Sequence, residues 1–193
     1  MKIIDLEMCH VVGVERIEKQ CFSTPWTRQN IIDTLQNGHS IFLAAVLTDE
    51  REDESRDDGQ MKDCGQNQEG GQVQNACHCQ VQDGGQDGGK VAGYISADGV
   101  CKTAYINNVA VDSAFRRKGI GSALISALEQ RAKAAGCTEI TLEVRSKNAA
   151  AKNLYQSCGY KKCGERKNYY RNPVDNAEIM TKKIGRASCR ERV

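Results

Sequence analysis

Residues 105–136 decide the fold of this chain, and they read YINNVAVDSAFRRKGIGSALISALEQRAKAAG. The first residues are rich in β-branched and aromatic side chains, which predicts a strand over Tyr105–Val111. A turn at Asp112-Ser113 and a basic glycine loop, Arg116–Gly121, follow the strand. Apolar residues then recur at helical spacing as far as Gly136, which predicts an amphipathic helix ended by that glycine. This order predicts an α/β fold with an anion site, because the free amides of the helix start lie in the glycine loop.

The glycine loop differs from two common phosphate-binding motifs. No Gly-Lys-Ser or Gly-Lys-Thr follows it, which excludes a Walker A loop, and Leu124 occupies the third-glycine position of the dinucleotide fingerprint. Glu139, twenty positions after Gly119, keeps a nicotinamide site open as an alternative. A basic helix start that binds nothing is the other alternative, but Arg116–Lys118 beside a positive helix end are unfavourable without an anion.

Further strands and helices alternate along the rest of the chain, as hydrophobic periodicity and capping residues predict. The predicted strands are Ile3–Leu6, Ile41–Leu47, Val91–Ala97, Thr138–Val144, a strand around Tyr160, and Glu178–Ile184. The predicted helices are one with apolar residues from Val11 to Cys21, one from an N-cap at Thr27 to Asn37-Gly38, and one over Ala149–Cys158 capped by Asn148.

The composition distinguishes a part of the chain that can form a hydrophobic core from one segment that is poor in hydrophobic residues. Hydrophobic residues make up 39% of the 193 residues, below the ~45 to 50% of an ordinary domain, and the mean hydropathy is −0.57. Residues 48–89 hold 8 Gly and 8 Gln, carry a net charge of −8 and contain no aromatic residue, which predicts a disordered acidic insertion in a hairpin loop. Residues 1–184 are therefore expected to form a single domain interrupted by that insertion, with a disordered tail at 185–193. Outside the insertion the net charge is +10, which indicates an anionic ligand or partner.

We expect a cytoplasmic protein with reduced cysteines. No apolar run approaches the ~18 residues of a membrane span, and Asp5 stands where a signal peptide is apolar. The cluster Cys64, Cys77, His78 and Cys79 lacks the paired spacings that bring metal ligands together, so we predict a loop and no metal site.

Several motifs together resemble the Gcn5-related N-acetyltransferases (GNAT), and among them the bacterial ribosomal-protein alanine N-acetyltransferases. Besides the Asn-Val-Ala-Val strand and the glycine loop, these motifs are Phe22–Trp26, Leu142–Arg145, Asn148, Leu154-Tyr155 and Arg166–Tyr170. The match covers residues 1–47 and 90–184. Lys147 replaces the usual serine before Asn148, and the insertion has no counterpart in the family pattern. The resemblance implies a GNAT fold, in which helices flank a mixed, mostly antiparallel central sheet, here with a long low-complexity hairpin insertion.

The resemblance also implies acetyl-coenzyme A as cosubstrate. Main-chain groups of Val109, Ala110 and Val111 would bind the acetyl-pantetheine arm, and Asn148 would hydrogen-bond it further along. The pyrophosphate would lie on Arg117, Lys118, Gly119, Ile120, Gly121 and Ser122.

The resemblance assigns Glu143 as general base and Tyr155 as general acid in a direct transfer without a covalent intermediate. The residue pattern supports both roles, because Glu143 lies on the strand face opposite Ile140, Leu142 and Val144, and Tyr155 lies seven residues into the helix capped by Asn148. The alternatives are a solvated strand glutamate and a core tyrosine.

Trp26, Tyr169 and Tyr170 are either packing aromatics or, as the resemblance implies, substrate contacts on loops that flank a peptide groove. The expected reaction acetylates the N-terminal α-amine of a ribosomal protein that begins with alanine. A GNAT enzyme acting on lysine side chains or a small amine is the first alternative. A nucleic-acid-binding module, suggested by the basic charge, is the second, but it lacks interleaved aromatic and basic residues, so we expect no direct contact with nucleic acid and none with a membrane.

Overall fold

A computed structural model describes residues 1–47 and 89–185. Within these ranges the chain forms seven strands and four α-helices. In chain order they are β1 (Lys2–Asp5), α1 (Val11–Cys21), α2 (Arg28–Gln36), β2 (Ser40–Leu47), β3 (Lys90–Val100), β4 (Thr103–Val111), α3 (Ile120–Ala134), β5 (Glu139–Arg145), α4 (Ala149–Ser157), β6 (Lys161–Arg171) and β7 (Val174–Lys183). Short 3-10 turns precede α1 and follow β4.

The strands form one sheet in the order β1-β2-β3-β4-β5-β7-β6. Neighbouring strands are antiparallel except β4 and β5, which are parallel and are joined through α3. A parallel pair needs such a crossover connection, which explains why α3 lies between β4 and β5 in the chain. The predicted mixed, mostly antiparallel sheet is confirmed.

Each face of the sheet packs against a pair of helices. Leu43 and Ala45 of β2 join a core cluster with α3 and α4, whereas Phe42 and Ala44 of the same strand join a cluster with α1 and α2. Strand side chains alternate between faces, so an apolar strand such as β2 must be buried on both sides.

Helix α3 is held by its apolar stripe. The side chains of Ile120, Leu124, Ile125, Leu128 and Ala132 are buried under the sheet. Burial of each large aliphatic side chain contributes ~1.5 to 3 kcal/mol, so this stripe fixes the glycine loop against the end of β4.

The segment at 48–88 lies outside the described residues, so its predicted disorder stays a prediction. The described residues that flank it are close together, because Leu47 of β2 pairs with Lys90 of β3 in an antiparallel hairpin. The cysteines and histidine at 64 to 79 and the tail at 186–193 also lie outside the described residues. Among the described helices, none is both long and apolar enough to cross a membrane.

One expectation is wrong: Tyr169 and Tyr170 lie in strand β6 and not in a loop. Strand β6 runs to Arg171 and turns directly into β7, so the hairpin is longer than the strands predicted around Tyr160 and Glu178–Ile184. Because β6 is one of the two edge strands and is exposed along most of its length, it carries polar residues without the alternation that marks a half-buried strand.

Candidate active site

Strands β4 and β5 pair over a short length and then separate. Their parallel pairing ends at Ile106 and Leu142, although β4 continues to Val111. A β-bulge at this point leaves Asn107 without a partner in β3, and bulges bend a strand and increase its twist. Glu143 is the first residue of β5 beyond the paired region. The gap between the two strands therefore begins beside Glu143.

The free edge of β4 borders this gap. The Asp112 amide donates to the Ala92 carbonyl at 2.9 Å, and hydrogen-bonding direction alternates along a strand. The main-chain groups of Val109 and Val111 therefore face the gap, whereas those of Ala110 face β3. The Val111 carbonyl accepts hydrogen bonds from Arg116 Nε at 3.1 Å and from the Cys21 thiol at 3.7 Å.

The glycine loop lies at the end of the same strand. Gly119 has a φ of +78° at the N-cap of α3, and Arg117 has a φ of +64°. The first hydrogen bond of the helix runs from the Ala123 amide to the Gly119 carbonyl, so the preceding amides of α3 have no acceptor within the helix. Space above Gly119 is open, since no atom beyond its immediate chain neighbours lies within 4 Å of where its Cβ would be. These amides and the adjacent cations form a site suited to an anion.

Gly121 has a packing role that the sequence did not reveal. A Cβ at this position would lie 3.0 Å from Leu154 Cδ2 of α4, which is closer than ordinary van der Waals contact. Gly121 therefore lets the start of α3 approach α4 closely, and α4 carries Asn148 and Tyr155 at the site.

Asn148 caps α4, as predicted. Its Oδ1 accepts a hydrogen bond from the Ala151 amide at 3.1 Å. A cap of this kind contributes ~1 kcal/mol to helix stability and leaves the Nδ2 donors of the exposed side chain available to a ligand.

Tyr155 is a buried residue near the end of α4. Its ring packs edge-on against Tyr160 with the centroids 5.9 Å apart. Burial raises the pKa of Tyr155 well above 10, and the neighbouring phenol of Tyr170 adds to the rise. Tyr155 therefore remains protonated across the neutral pH range.

Glu143 projects from β5 on the face opposite the buried apolar residues, as the alternation of apolar residues in the sequence predicted. Its Oε1 forms an ion pair with Arg166 Nε at 3.2 Å, and its side chain is about one quarter exposed. Interaction with this carboxylate also raises the pKa of Tyr169. Sequence reasoning did not identify Arg166 as a partner of the candidate base.

Tyr170 connects the two candidate catalytic residues. Its hydroxyl donates to the Glu143 carbonyl at 3.3 Å, and after burial it is the larger of two neighbouring contributions, with Cys158, to the raised pKa of Tyr155. The ring of Tyr170 lies under the Arg145 guanidinium at 4.2 Å and beside Tyr169 at 5.1 Å between centroids. Burial raises the pKa of Tyr170 first, and the charge of Glu143 raises it further.

The loop between α1 and α2 lies next to the β6–β7 hairpin. Ser23 Oγ donates to the Asn172 carbonyl at 2.9 Å, and the same carbonyl accepts from Arg145 at 2.8 Å. Trp26 lies in this loop, as predicted, with its side chain partly buried against the α1–α2 cluster. The structure thus places Trp26 and the tyrosine pair on two segments that touch.

Glu18 is a further residue that sequence analysis missed. It is fully buried beneath the loop, although the only sign in the sequence is a charged residue on the apolar stripe of α1, between Val14 and Cys21. Among the described residues, no group of three or more His, Cys, Asp or Glu is arranged to hold a metal.

Comparison with known proteins defines the class to which this fold and site belong. The profile described as the acetyltransferase (GNAT) family matches residues 12–160, and the chain is a member of that family. The predicted family and the GNAT fold are confirmed.

Particular relatives share a more specific description. The chain is 39% identical over 82 residues to the [ribosomal protein bS18]-alanine N-acetyltransferase of Escherichia coli strain K12, which covers 42% of this chain and 55% of the relative. The chain thus spans about half the length of the curated relatives it matches. The crystal structure of the ribosomal-protein-S18-alanine N-acetyltransferase from Escherichia coli has a TM-score of 0.71 at 24% identity, covering 100% of this chain and 99% of that one. The structure of Arabidopsis thaliana NAA60 in complex with acetyl-CoA has a TM-score of 0.67 at 16% identity, covering 95% and 98%.

Proposed function

We propose that this protein transfers the acetyl group of acetyl-coenzyme A to the N-terminal α-amine of a ribosomal protein, with alanine as the first residue. The observation that carries the proposal is the contact of Tyr170, which neighbours Tyr155, with Glu143 where β4 and β5 separate. The activity for which the Escherichia coli relative is named, with 39% identity over 82 residues, supports the choice of acceptor.

The described residues fit acetyl-coenzyme A. Open space above Gly119, the free amides at the start of α3 and the exposed side chains of Arg117 and Lys118 suit a pyrophosphate. The main-chain groups of Val109 and the Val111 amide, which face the gap, suit an extended amide-containing arm, and Asn148 Nδ2 offers one more donor. Ala110 would take part only through its side chain, because its main-chain groups face β3. Ile120 and Ser122 would contribute through their amides.

The acceptor must lose a proton before it attacks the thioester. An N-terminal ammonium has a pKa of ~7.7 to 8.0, so Glu143 has a modest task in removing its proton. The nitrogen then attacks the acetyl carbonyl and releases its second proton to solvent, the carbon–sulfur bond breaks, and the sulfur leaves as a thiolate that is later protonated from solvent. Tyr155 is protonated and donates a hydrogen bond to that thiolate. Full proton transfer is uphill, because the pKa of the buried phenol lies above that of a thiol, at ~8.5.

The charges around Glu143 favour an α-amine over a lysine side chain. The guanidinium groups of Arg145 and Arg166 lie over Tyr170 and Tyr169, next to the candidate base. A lysine side chain has a pKa of ~10.4 and arrives almost entirely as a cation, whereas an α-amine is substantially neutral near pH 8. The nearby cations therefore disfavour a lysine acceptor.

The test uses the full chain, acetyl-coenzyme A and two peptides of one sequence that starts with alanine and contains an internal lysine. One peptide has a free N-terminus and the other a blocked one. Mass spectrometry should find acetyl on the N-terminus of the first peptide and none on the second. Acetylation of lysine in the blocked peptide at a comparable rate contradicts the proposal and supports the lysine alternative. Mass spectrometry of ribosomal proteins from cells with and without this protein then identifies the acceptor.

A further inference from the structure

Glu18 is a buried carboxylate that the reaction does not use. Glu18 is 0% exposed and lies on α1 beside the apolar residues Val14 and Ile17 of the α1–α2 cluster. A carboxylate in such a place reduces stability unless hydrogen bonds replace its hydration. An apolar residue would fill the space at lower cost, so the carboxylate requires an explanation from its contacts.

Three donors from three different segments converge on this carboxylate. The Trp26 amide in the α1–α2 loop donates to Oε2 at 2.9 Å, and Asn108 Nδ2 of β4 donates to Oε1 at 2.8 Å. The Tyr94 hydroxyl of β3 also donates to Oε1. Burial raises the pKa of Tyr94, and the charge of Glu18 raises it further, so this phenol remains a donor.

These contacts join the loop proposed to receive the acceptor peptide to the strand proposed to bind the acetyl donor. Asn108 directly precedes Val109, where the free edge of β4 borders the gap. Trp26 belongs to the loop that touches the β6–β7 hairpin through Ser23. The carboxylate therefore links the loop on the acceptor side to the strand on the acetyl-donor side, and its partner Asn108 lies 90 residues from Glu18 in sequence.

We propose that Glu18 is a positioning residue that holds the Trp26 loop against β4 in the geometry that receives the acceptor peptide. The assignment of this loop to the acceptor rests on the proposed function. The link itself is a property of the free protein and is measurable without a substrate.

Glu18→Gln is the informative variant. The glutamine side chain has the same shape but only one acceptor oxygen, whereas both carboxylate oxygens receive donors. Its NH₂ group must therefore face either the Trp26 amide, which can only donate, or the Asn108–Tyr94 pair. Glu15→Gln is the matched control. Glu15 lies one turn earlier on α1, and its carboxylate pairs with Lys19 and with Arg28 of α2 at the surface.

The first measurement is acrylamide quenching of tryptophan fluorescence without substrates. Trp26 is the only tryptophan in the chain, so its quenching reports the loop directly. Glu18→Gln should increase the quenching constant about 2-fold, because the loop loses its hydrogen bond to a charged group, and Glu15→Gln should leave it unchanged. Unchanged quenching in a folded Glu18→Gln protein overturns the link.

The second measurement is steady-state kinetics with an alanine-initiated peptide. Glu18→Gln should raise the KM for the peptide about 10-fold, with kcat and the Kd for acetyl-coenzyme A within about 3-fold of wild type. Equal losses in kcat and in acetyl-coenzyme A affinity without a change in peptide KM overturn the positioning role. If the wild-type protein acetylates no peptide, the proposed function fails, while the quenching result still decides the link.

Asn108→Ala provides a second route if circular dichroism shows that Glu18→Gln is unfolded. This variant leaves the carboxylate and the Trp26 bond in place and removes the anchor on β4. It should raise both the quenching constant and the peptide KM, and wild-type values of both overturn the proposal.

Discussion

Tyr155 and Glu143 both neighbour Tyr170, but their surroundings differ. Tyr155 of α4 is buried in the core, whereas Glu143 is partly exposed and paired with Arg166. A buried phenol suits hydrogen bonding to a leaving thiolate, and an exposed carboxylate suits exchange of protons with solvent. Two variants test these roles separately.

Tyr155→Phe removes the hydroxyl and keeps the packed ring. We expect kcat to fall about 10²- to 10³-fold with little change in acetyl-coenzyme A affinity, because the lost interaction forms only with the departing sulfur. Tyr160→Phe is the control, since its ring is the edge-on neighbour of Tyr155 and is also buried. Single-turnover kinetics that give equal rates for the two variants would remove Tyr155 from the mechanism.

Glu143→Gln removes the candidate base. The loss in kcat/KM should be greatest below about pH 7.5, where the acceptor is an ammonium ion, and should diminish as the pH rises above the amine's pKa of ~8. Glu139→Gln, on the same face of β5 at its other end, should follow the wild-type profile. A pH-independent loss would indicate that Glu143 orients the acceptor and does not deprotonate it.

Among the secondary-structure elements, α3 positions the proposed anion site, because a glycine with free space above it precedes the helix. Gly119 has a left-handed backbone with free space above it, whereas Gly121 packs against Leu154. A substitution at Gly121 therefore tests packing, and a substitution at Gly119 tests the ligand site.

Gly119→Asp and Gly119→Asn form a matched pair for the anion site. Asn and Asp both tolerate the left-handed conformation and both cap helices, so stability should be similar or slightly higher for Asp. The negative charge of Asp would repel the pyrophosphate, and we expect its Kd for acetyl-coenzyme A to exceed that of the Asn variant about 10-fold. Isothermal titration calorimetry measures both. Equal affinities would show that the pyrophosphate lies elsewhere.

At the scale of the whole molecule, a long segment interrupts a hairpin whose strands remain paired. Leu47 and Lys90 are opposite each other, and Gly89 has a φ of +51°. Replacing residues 48–88 with a single asparagine would give Leu47-Asn-Gly89-Lys90, a two-residue Asn-Gly turn of the type that hairpins prefer. The site residues described above all lie outside the replaced segment.

We expect this shortened protein to fold and to keep its acetyl-coenzyme A affinity and kcat within about 3-fold, because loop length changes closure entropy only logarithmically. Circular dichroism and the peptide assay measure the two properties. A folded but inactive protein would assign the segment a part in the reaction, contrary to its composition.

The sequence by itself determined the elements whose signals are local. Helix α3, its glycine loop, the Asn148 cap and the alternating faces of β5 were all predicted, because periodicity and capping act within a few residues of the chain. The family motifs also indicated Glu143 and Tyr155 as candidate catalytic residues, and those roles stay predictions.

Only the tertiary structure decided which distant residues meet. Glu18 with Asn108, Glu143 with Arg166, and Gly121 with Leu154 are contacts between segments that are far apart in sequence and leave no periodic pattern. The strand position of Tyr169 and Tyr170 was also hidden, because the exposed edge strand β6 buries little and so lacks hydrophobic alternation. Local hydrogen bonding and periodic burial leave a trace in sequence, whereas pairwise contacts depend on how the sheet and its helices pack.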